Sequence, residues 1–143
     1  MRTNLSIDDL DGFLDEPLVA VLATLRKDGS VLLSPVWHEW RDGGFNVWVG
    51  TDDVKARHLR RDSRASILVA ESQNPLRGVE VRGVARIIED GAHETAVRIA
   101  SRYIGPEKAA AYVGSAGDEV TVRLDPGGLR VWDFADEHEA MDR

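Results

Sequence analysis

The sequence predicts a mainly β protein of the α+β kind, an antiparallel barrel of about six to seven strands with a few short helices. Three observations predict it. β-rich runs recur with Asp-Gly turns between them, in Lys27-Asp28-Gly29-Ser30 and Arg41-Asp42-Gly43-Gly44. Stretches with helical spacing are too few to cover both faces of a doubly wound sheet. The 143 residues suit one core and fall short of two, so a single domain over 1–143 is expected.

The elements follow in order. Ser6 with Asp9 reads as a helix cap and first-turn carboxylate, and Leu10, Phe13 and Leu14 give that helix an apolar stripe. The N-terminal helix is expected within 1–16, before Pro17. Residues 18–25, 31–40 and 45–50 then read as three antiparallel strands joined by the two Asp-Gly turns. Thr51-Asp52-Asp53 opens a short helix from Val54 to about Arg61, which Asp62-Ser63 ends. A strand over 65–70, a loop over 72–75 and a strand over 78–88 come next. In that last strand Val79, Val81, Ala85 and Ile87 alternate with Glu80, Arg82 and Arg86, as in a half-exposed strand. Ala96, Ile99, Ala100 and Tyr103 place a helix over 92–104, and a weaker one covers 107–113 beyond Gly105-Pro106. Residues 120–124 and 129–134, around Asp125-Pro126-Gly127-Gly128, read as a closing hairpin. The acidic tail over 135–143 is expected to fray.

Composition bounds the function. With 43% hydrophobic and 30% charged residues the chain is a globular rather than a disordered one. A formal charge of −7 argues against nucleic acid or an anionic membrane as the main partner. With no cysteine there is no thiolate catalysis, disulfide or thiolate-held metal. Neither a signal-like N-terminus nor a bilayer-length apolar run is present, so a cytoplasmic protein is expected. Along 31–40, Val31, Leu33, Pro35 and Trp37 fall on one face and Leu32, Val36 and Trp40 on the other. Both faces are apolar, so the second must be covered by a helix of this chain or by another subunit.

The stretch Thr51-Asp52-Asp53-Val54-Lys55-Ala56-Arg57-His58-Leu59-Arg60-Arg61 carries the chemistry. It lies where a strand runs into a helix, whose free amides and positive dipole end favour an anion such as phosphate. Lys55 and Arg57 add charge there, but positions two apart on a helix point roughly 200° from each other. Both can grip one phosphate only if Lys55 lies in the first turn or just before it. On spacing alone a solvated cationic helix face fits equally well. His38, His58, His93 and His138 show no metal-ligand spacing, and His38 and Glu39, as strand neighbours, point to opposite faces. No serine sits in a nucleophile elbow. Neither a catalytic side chain nor a metal ligand is assigned.

Taken together, residues 18–25, Lys27-Asp28-Gly29-Ser30, Ser34-Pro35-Val36-Trp37, Thr51, the run from Lys55 to Asp62, and Arg64-Ala65-Ser66-Ile67-Leu68-Val69 resemble the split β-barrel flavoprotein superfamily. This is the group containing pyridoxamine 5′-phosphate oxidase, and within it the chain looks like short actinobacterial members that use FMN or the deazaflavin coenzyme F-420. The resemblance implies a homodimer with cofactors in grooves between the barrels. It implies that Lys55 and Arg57 hold the cofactor phosphate with Thr51, and that Ser34, Pro35, Val36 and Trp37 run along the flavin ring. Ser66 and Ile67 would flank the same groove, and the Asn74-Pro75-Leu76-Arg77 loop and Trp132 would approach the cofactor, in one arrangement from the partner subunit. Two positions depart from the pattern. Asp53 stands where deazaflavin-binding relatives often carry a base, leaving Arg77 to compensate, and His58 stands for a common Asn. The C-terminal substrate elements of the vitamin B6 oxidase are missing, so that activity is not expected. The expected function is hydride transfer between F-420 or FMN and a small planar, conjugated substrate, with the cofactor ring doing the chemistry. The alternative is a non-enzymatic module binding flavin, haem or another tetrapyrrole.

Overall fold

The computed structural model describes residues 5–73, 76–115 and 117–134. Ser6 starts a turn whose Asp9 carboxylate takes the Ser6 amide at 2.7 Å, but the turn is of the tight 3-10 kind, Ile7–Leu10. Asp11 and Gly12 both adopt left-handed backbone, so no α-helix continues through them. A second 3-10 turn, Phe13–Asp15, follows, and Leu10, Phe13 and Leu14 are buried as the stripe required. Two turns thus replace the expected helix, whose residues 1–4 lie outside the described residues.

Strand β1 (Ala20–Leu25) pairs with β2 (Val31–Val36) across the first Asp-Gly turn, Leu25 opposite Val31. β3 (Glu39–Arg41) pairs with β4 (Gly44–Gly50) across Asp42-Gly43, both at positive φ as a two-residue hairpin turn demands. The two hairpins do not form one meander. At Trp37-His38 the chain leaves β1 and joins β4, so the stretch expected as a single strand is a corner between two halves of the sheet. Helix α1 (Val54–Arg61) follows, then β5 (Arg64–Ala70), β6 (Gly78–Ile88), α2 (Ala92–Ile104), α3 (Pro106–Gly114), β7 (Glu119–Leu124) and β8 (Gly128–Trp132).

The strand order is β2-β1-β5-β6-β7-β4-β3, with β8 also on β6. β6 spans both halves. Its first part, Gly78 to Val84, lies against β5, and its second, Ala85 to Ile88, against β7. β7 and β8 do not pair with each other. Thr121 faces Ile88 and Leu124 faces Ala85, and Gly128 then faces Arg82 and Trp132 faces Gly78. The two are consecutive stretches of one path along β6, and Asp125-Pro126-Gly127 is a bulge opposite Gly83 and Val84 rather than a reversal. The bulge lies tight on β6: the Gly127 amide donates to the Arg82 carbonyl at 2.9 Å. A Cβ on Gly83 would come within 2.6 Å of the Asp125 carbonyl oxygen. The result is an antiparallel, curled, split β-barrel with short helices, mainly β in class.

The barrel core gathers Leu22, Ile67, Val79, Val81, Phe45, Val47, Val122 and Leu124, plugged by Phe13, Leu14 and the Ala56 and Leu59 side of α1. α2 and α3 cover the outer face of β4 and β7, making a second cluster of Ala96, Ala100, Ala109 and Val113 against Trp37 and Trp48. No described helix packs on the outer face of β2, β1 and β5, where Val31, Leu33 and Pro35 stand beside Leu25, Ala23 and Val21. There Val31 is 49% and Leu33 65% exposed. Among the described residues no helix is long and apolar enough to cross a membrane.

Candidate functional site

The site begins where β4 hands over to α1. Gly50 and Thr51 end the strand, and Asp53 caps the helix by accepting the Lys55 amide at 2.9 Å. This cap puts Lys55 in the first turn, the condition under which it and Arg57 could grip one phosphate. There its Nζ lies 3.0 Å from Asp53 Oδ1, with the Lys55 side chain only 17% exposed. Partial burial would raise the Asp53 carboxyl, but the Lys55 amide, the Lys55 ammonium and the charge of Arg57 hold it below its ordinary value. The Arg57 side chain is exposed and among the described residues has no hydrogen-bond or ion-pair partner, while its backbone amide donates to the Asp53 carbonyl at 3.1 Å.

Lys55 and Asp53 line a cleft of roughly 480 Å³ together with Val19, Pro35, Val36, Trp37, Trp48, Val49, Gly50 and Tyr112. Its wall is aromatic. Trp37 stacks flat on Tyr103 at 4.8 Å and 6°, meets Trp48 edge-on at 5.7 Å and lies 5.8 Å from Tyr112. The corner that carries Trp37 is pinned from α2. The Tyr103 hydroxyl donates to the Leu18 carbonyl at 2.8 Å, accepts the His38 amide at 3.1 Å and lies 2.9 Å from His38 Nδ1. Its one proton is used on Leu18, so Nδ1 carries the imidazole proton and Nε2, buried without a partner, is the bare nitrogen. Arg102 binds the His38 carbonyl and the carbonyls of Leu14 and Glu16, tying the N-terminal turns to the same corner.

Of the residues expected in the site, the cleft unites Pro35, Val36, Trp37 and Lys55. Ser34 stands half-buried on β2 opposite Leu22. Ser66 lines a separate hollow of roughly 410 Å³ on the outer sheet face, beside Ala23, Leu25 and Val31. Ile67 is a core residue at 1% exposure. Thr51 lines a third hollow with His93, Asp118 and Glu119, and its carbonyl accepts from Arg60 at 2.8 Å. Arg77 is engaged within the chain: its guanidinium binds the Glu71 carboxylate and the Leu10 carbonyl and lies over the Phe13 ring. Trp132 lies flat over Gly78, where a Cβ would come within 2.1 Å of its ring, with Arg130 stacked above it. Asn74 and Pro75 of the expected loop and His138 lie outside the described residues. His58 faces inward, with its Nδ1 3.0 Å from the buried Thr24 hydroxyl.

Sequence reasoning did not assign Trp48 or Tyr112 to the site. Trp48 had a signal, since Phe45, Val47 and Val49 alternate with Asn46 and Trp48 and so leave Trp48 off the barrel core. Tyr112 had none, because only the fold of α3 across β4 brings it near. Among the described residues no group of three His, Asp or Glu side chains is placed to hold a metal.

The family described as pyridoxamine 5′-phosphate oxidase matches residues 7–133. Among solved structures, the conserved hypothetical protein Rv2991 from Mycobacterium tuberculosis is 30% identical with a TM-score of 0.80, covering 94% of this chain and 88% of that one. An F-420 reductase is 25% identical with a TM-score of 0.68, covering 83% of this chain and 94% of that one. The haem storage protein HutZ from Vibrio cholerae shares the fold at 20% identity, with a TM-score of 0.68 and coverage of 86% and 92%. Among curated proteins no sequence matches the chain.

Proposed function

The chain belongs to the pyridoxamine 5′-phosphate oxidase family, and on that premise we propose that it is an oxidoreductase using F-420 or FMN, bound in the Lys55 cleft of a homodimer. One observation carries the reading. Lys55, in the first turn of α1, lines a cleft together with the Pro35-Val36-Trp37 corner, Trp48 and Tyr112. The donor set fits a phosphorylated ring cofactor: one cation and a helix-start amide for the phosphate, flat aromatic surface and aliphatic walls for the ring.

Lys55 would bind the phosphate in the first turn, with Arg57 reaching it from the exposed side. Trp37, held against Tyr103, would present a fixed plane to the ring, while Val19, Pro35 and Val36 exclude water from it. A bound flavin or deazaflavin supplies hydride transfer to or from a planar, conjugated substrate. The likeness to an F-420 reductase supports the deazaflavin as one of the two cofactors. The apolar face of β2, β1 and β5 supports the second copy, because a surface of that kind left to solvent favours association. Ser66 stands on that face, so it would meet a cofactor only with both copies in place.

The test is titration of the purified protein with each cofactor, followed by tryptophan quenching. Replacement of both Lys55 and Arg57 by Ala is expected to weaken binding at least about 100-fold, as loss of two charge-assisted contacts implies, with the barrel still folded. Unchanged affinity would remove the cleft as the site. A conjugated acceptor that speeds reoxidation of bound reduced cofactor separates the enzyme from a storage module.

A further inference from the structure

We propose that the hollow between α2 and the outer face of β4, β6 and β7 is a second binding site, for a small zwitterion whose carboxylate and ammonium stand several bonds apart. The hollow measures roughly 320 Å³ and shares no lining residue with the Lys55 cleft. Four arginines line it, and most of their charge is already paired. Arg98 gives Nε and Nη2 to the Glu39 carboxylate at 2.7 and 2.6 Å, and Arg41 Nε lies 3.8 Å from the Asp42 carboxylate. Each of these two cations thus has its own carboxylate. Arg86 and Arg123 share a single one, Asp125, at 2.9 Å each, so one positive charge is left over at that pair. Arg123 also donates to the Arg41 and Asp42 carbonyls, which leaves Arg86, with its side chain 60% exposed, to offer hydrogens to a ligand. Asp90 is the lining carboxylate with no hydrogen-bond or ion-pair partner among the described residues.

Strand register puts these groups in order. Arg86 faces Arg123 and Ile88 faces Thr121 across β6 and β7. Thr121 therefore stands two residues, about 6.6 Å, along from the guanidinium pair, and Asp90 follows just past the end of β6. Surplus positive charge, a hydroxyl and an unpaired carboxylate succeed one another along the hollow. Thr121 lines it at only 4% exposure, and its Oγ1 has no hydrogen-bond partner. A buried hydroxyl without a partner is costly, and a ligand seated above it would satisfy it. A plain anion meets attraction at one end of this row and repulsion at the other, and a plain cation the reverse. A ligand with one charge of each sign meets attraction at both.

The probe is 6-aminohexanoate, with hexanoate and hexylamine as its single-charge halves, titrated calorimetrically into the full chain. Wild type is expected to bind the whole probe about fivefold or more tighter than either half, the factor that one partly exposed charge contact supplies. Arg86→Gln should weaken 6-aminohexanoate and hexanoate about fivefold and spare hexylamine. Asp90→Asn should weaken 6-aminohexanoate and hexylamine by a similar factor and spare hexanoate. Thr121→Val keeps the shape and removes the hydroxyl. It should weaken 6-aminohexanoate about fivefold while the ligand-free chain melts no lower, because that hydroxyl has no partner to lose. The site is overturned if 6-aminohexanoate shows no saturable binding, if either half binds as well as the whole, or if the Arg86 and Asp90 variants treat all three probes alike. A Thr121→Val chain that binds unchanged and melts lower would assign the hydroxyl to the fold and overturn its part in the site.

Discussion

Burial, with the neighbouring Arg102 charge, pushes the His38 pKa down to about 3. Protonation would place an N–H at Nε2, which has no acceptor. In the unfolded chain the same imidazole titrates near 6.5. Between pH 6.5 and about 3 the unfolded state therefore binds a proton that the folded state refuses. The His38 contribution is complete above pH 6.5 and falls as pH drops, by about 1.4 kcal/mol per unit. Denaturant unfolding at pH 7, 6 and 5 measures it, and His38→Asn, which keeps a donor near the Nδ1 position, should flatten the slope. An equal slope in the variant would show that other groups set it. Tyr103→Phe removes the hydroxyl that holds this corner but keeps the stack on Trp37. It is expected to cost roughly 1–3 kcal/mol, since the His38 amide and the imidazole Nδ1 proton lose their acceptor, readable by thermal unfolding. The place of Lys55 in the first turn of α1 was legible because capping rules are local. The pairing of Arg77 with Glu71 and the Leu10 carbonyl, where a cofactor contact was expected, had no local signal because the packing of the N-terminal turns makes it.

β6 is the element on which both halves of the sheet depend, and Gly83 is the point where another stretch of backbone crosses it most tightly. A Cβ there meets backbone, the Asp125 carbonyl oxygen at 2.6 Å, so the bulge must move. Gly83→Ala is expected to lose roughly 1–3 kcal/mol, whereas Gly114→Ala, with nothing within 4 Å of its added methyl, should be close to neutral. Thermal unfolding of the pair checks the difference, and equal melting temperatures would deny the tight crossing. Elements with strong periodicity were legible: α2 runs from Ala92 to Ile104 as its spacing required, and α1 from Val54 to Arg61. Partnership was not. Asp125-Pro126-Gly127-Gly128 has the composition of a reversal, and only the register along β6 makes it a bulge. Residues 31–40 keep their alternation across the Trp37-His38 corner, so nothing local announces the change of partner.

Across the whole molecule the two faces of the barrel wall are treated differently. α2 and α3 cover β4 and β7, while β2, β1 and β5 leave Val31 and Leu33 bare. The sequence showed that the second strand is apolar on both faces, but not which half of the sheet the helices would cover. In the homodimer reading the bare face is the interface. Leu33→Asp, at a position 65% exposed in one chain, should leave the barrel folded yet bring the mass seen by light scattering from twice 15.8 kDa to 15.8 kDa. Cofactor affinity should fall with it. A wild-type chain that runs as a monomer, or a variant that stays dimeric, would refute that assignment. The most direct measurement of the central claim is a crystal structure with F-420 or FMN bound. The account predicts phosphate at the Lys55 ammonium, with Asp53 displaced or sharing it, and the ring against Pro35, Val36 and Trp37. A ring bound in the hollow lined by His93 and Glu119, with Lys55 still paired to Asp53 alone, would contradict it.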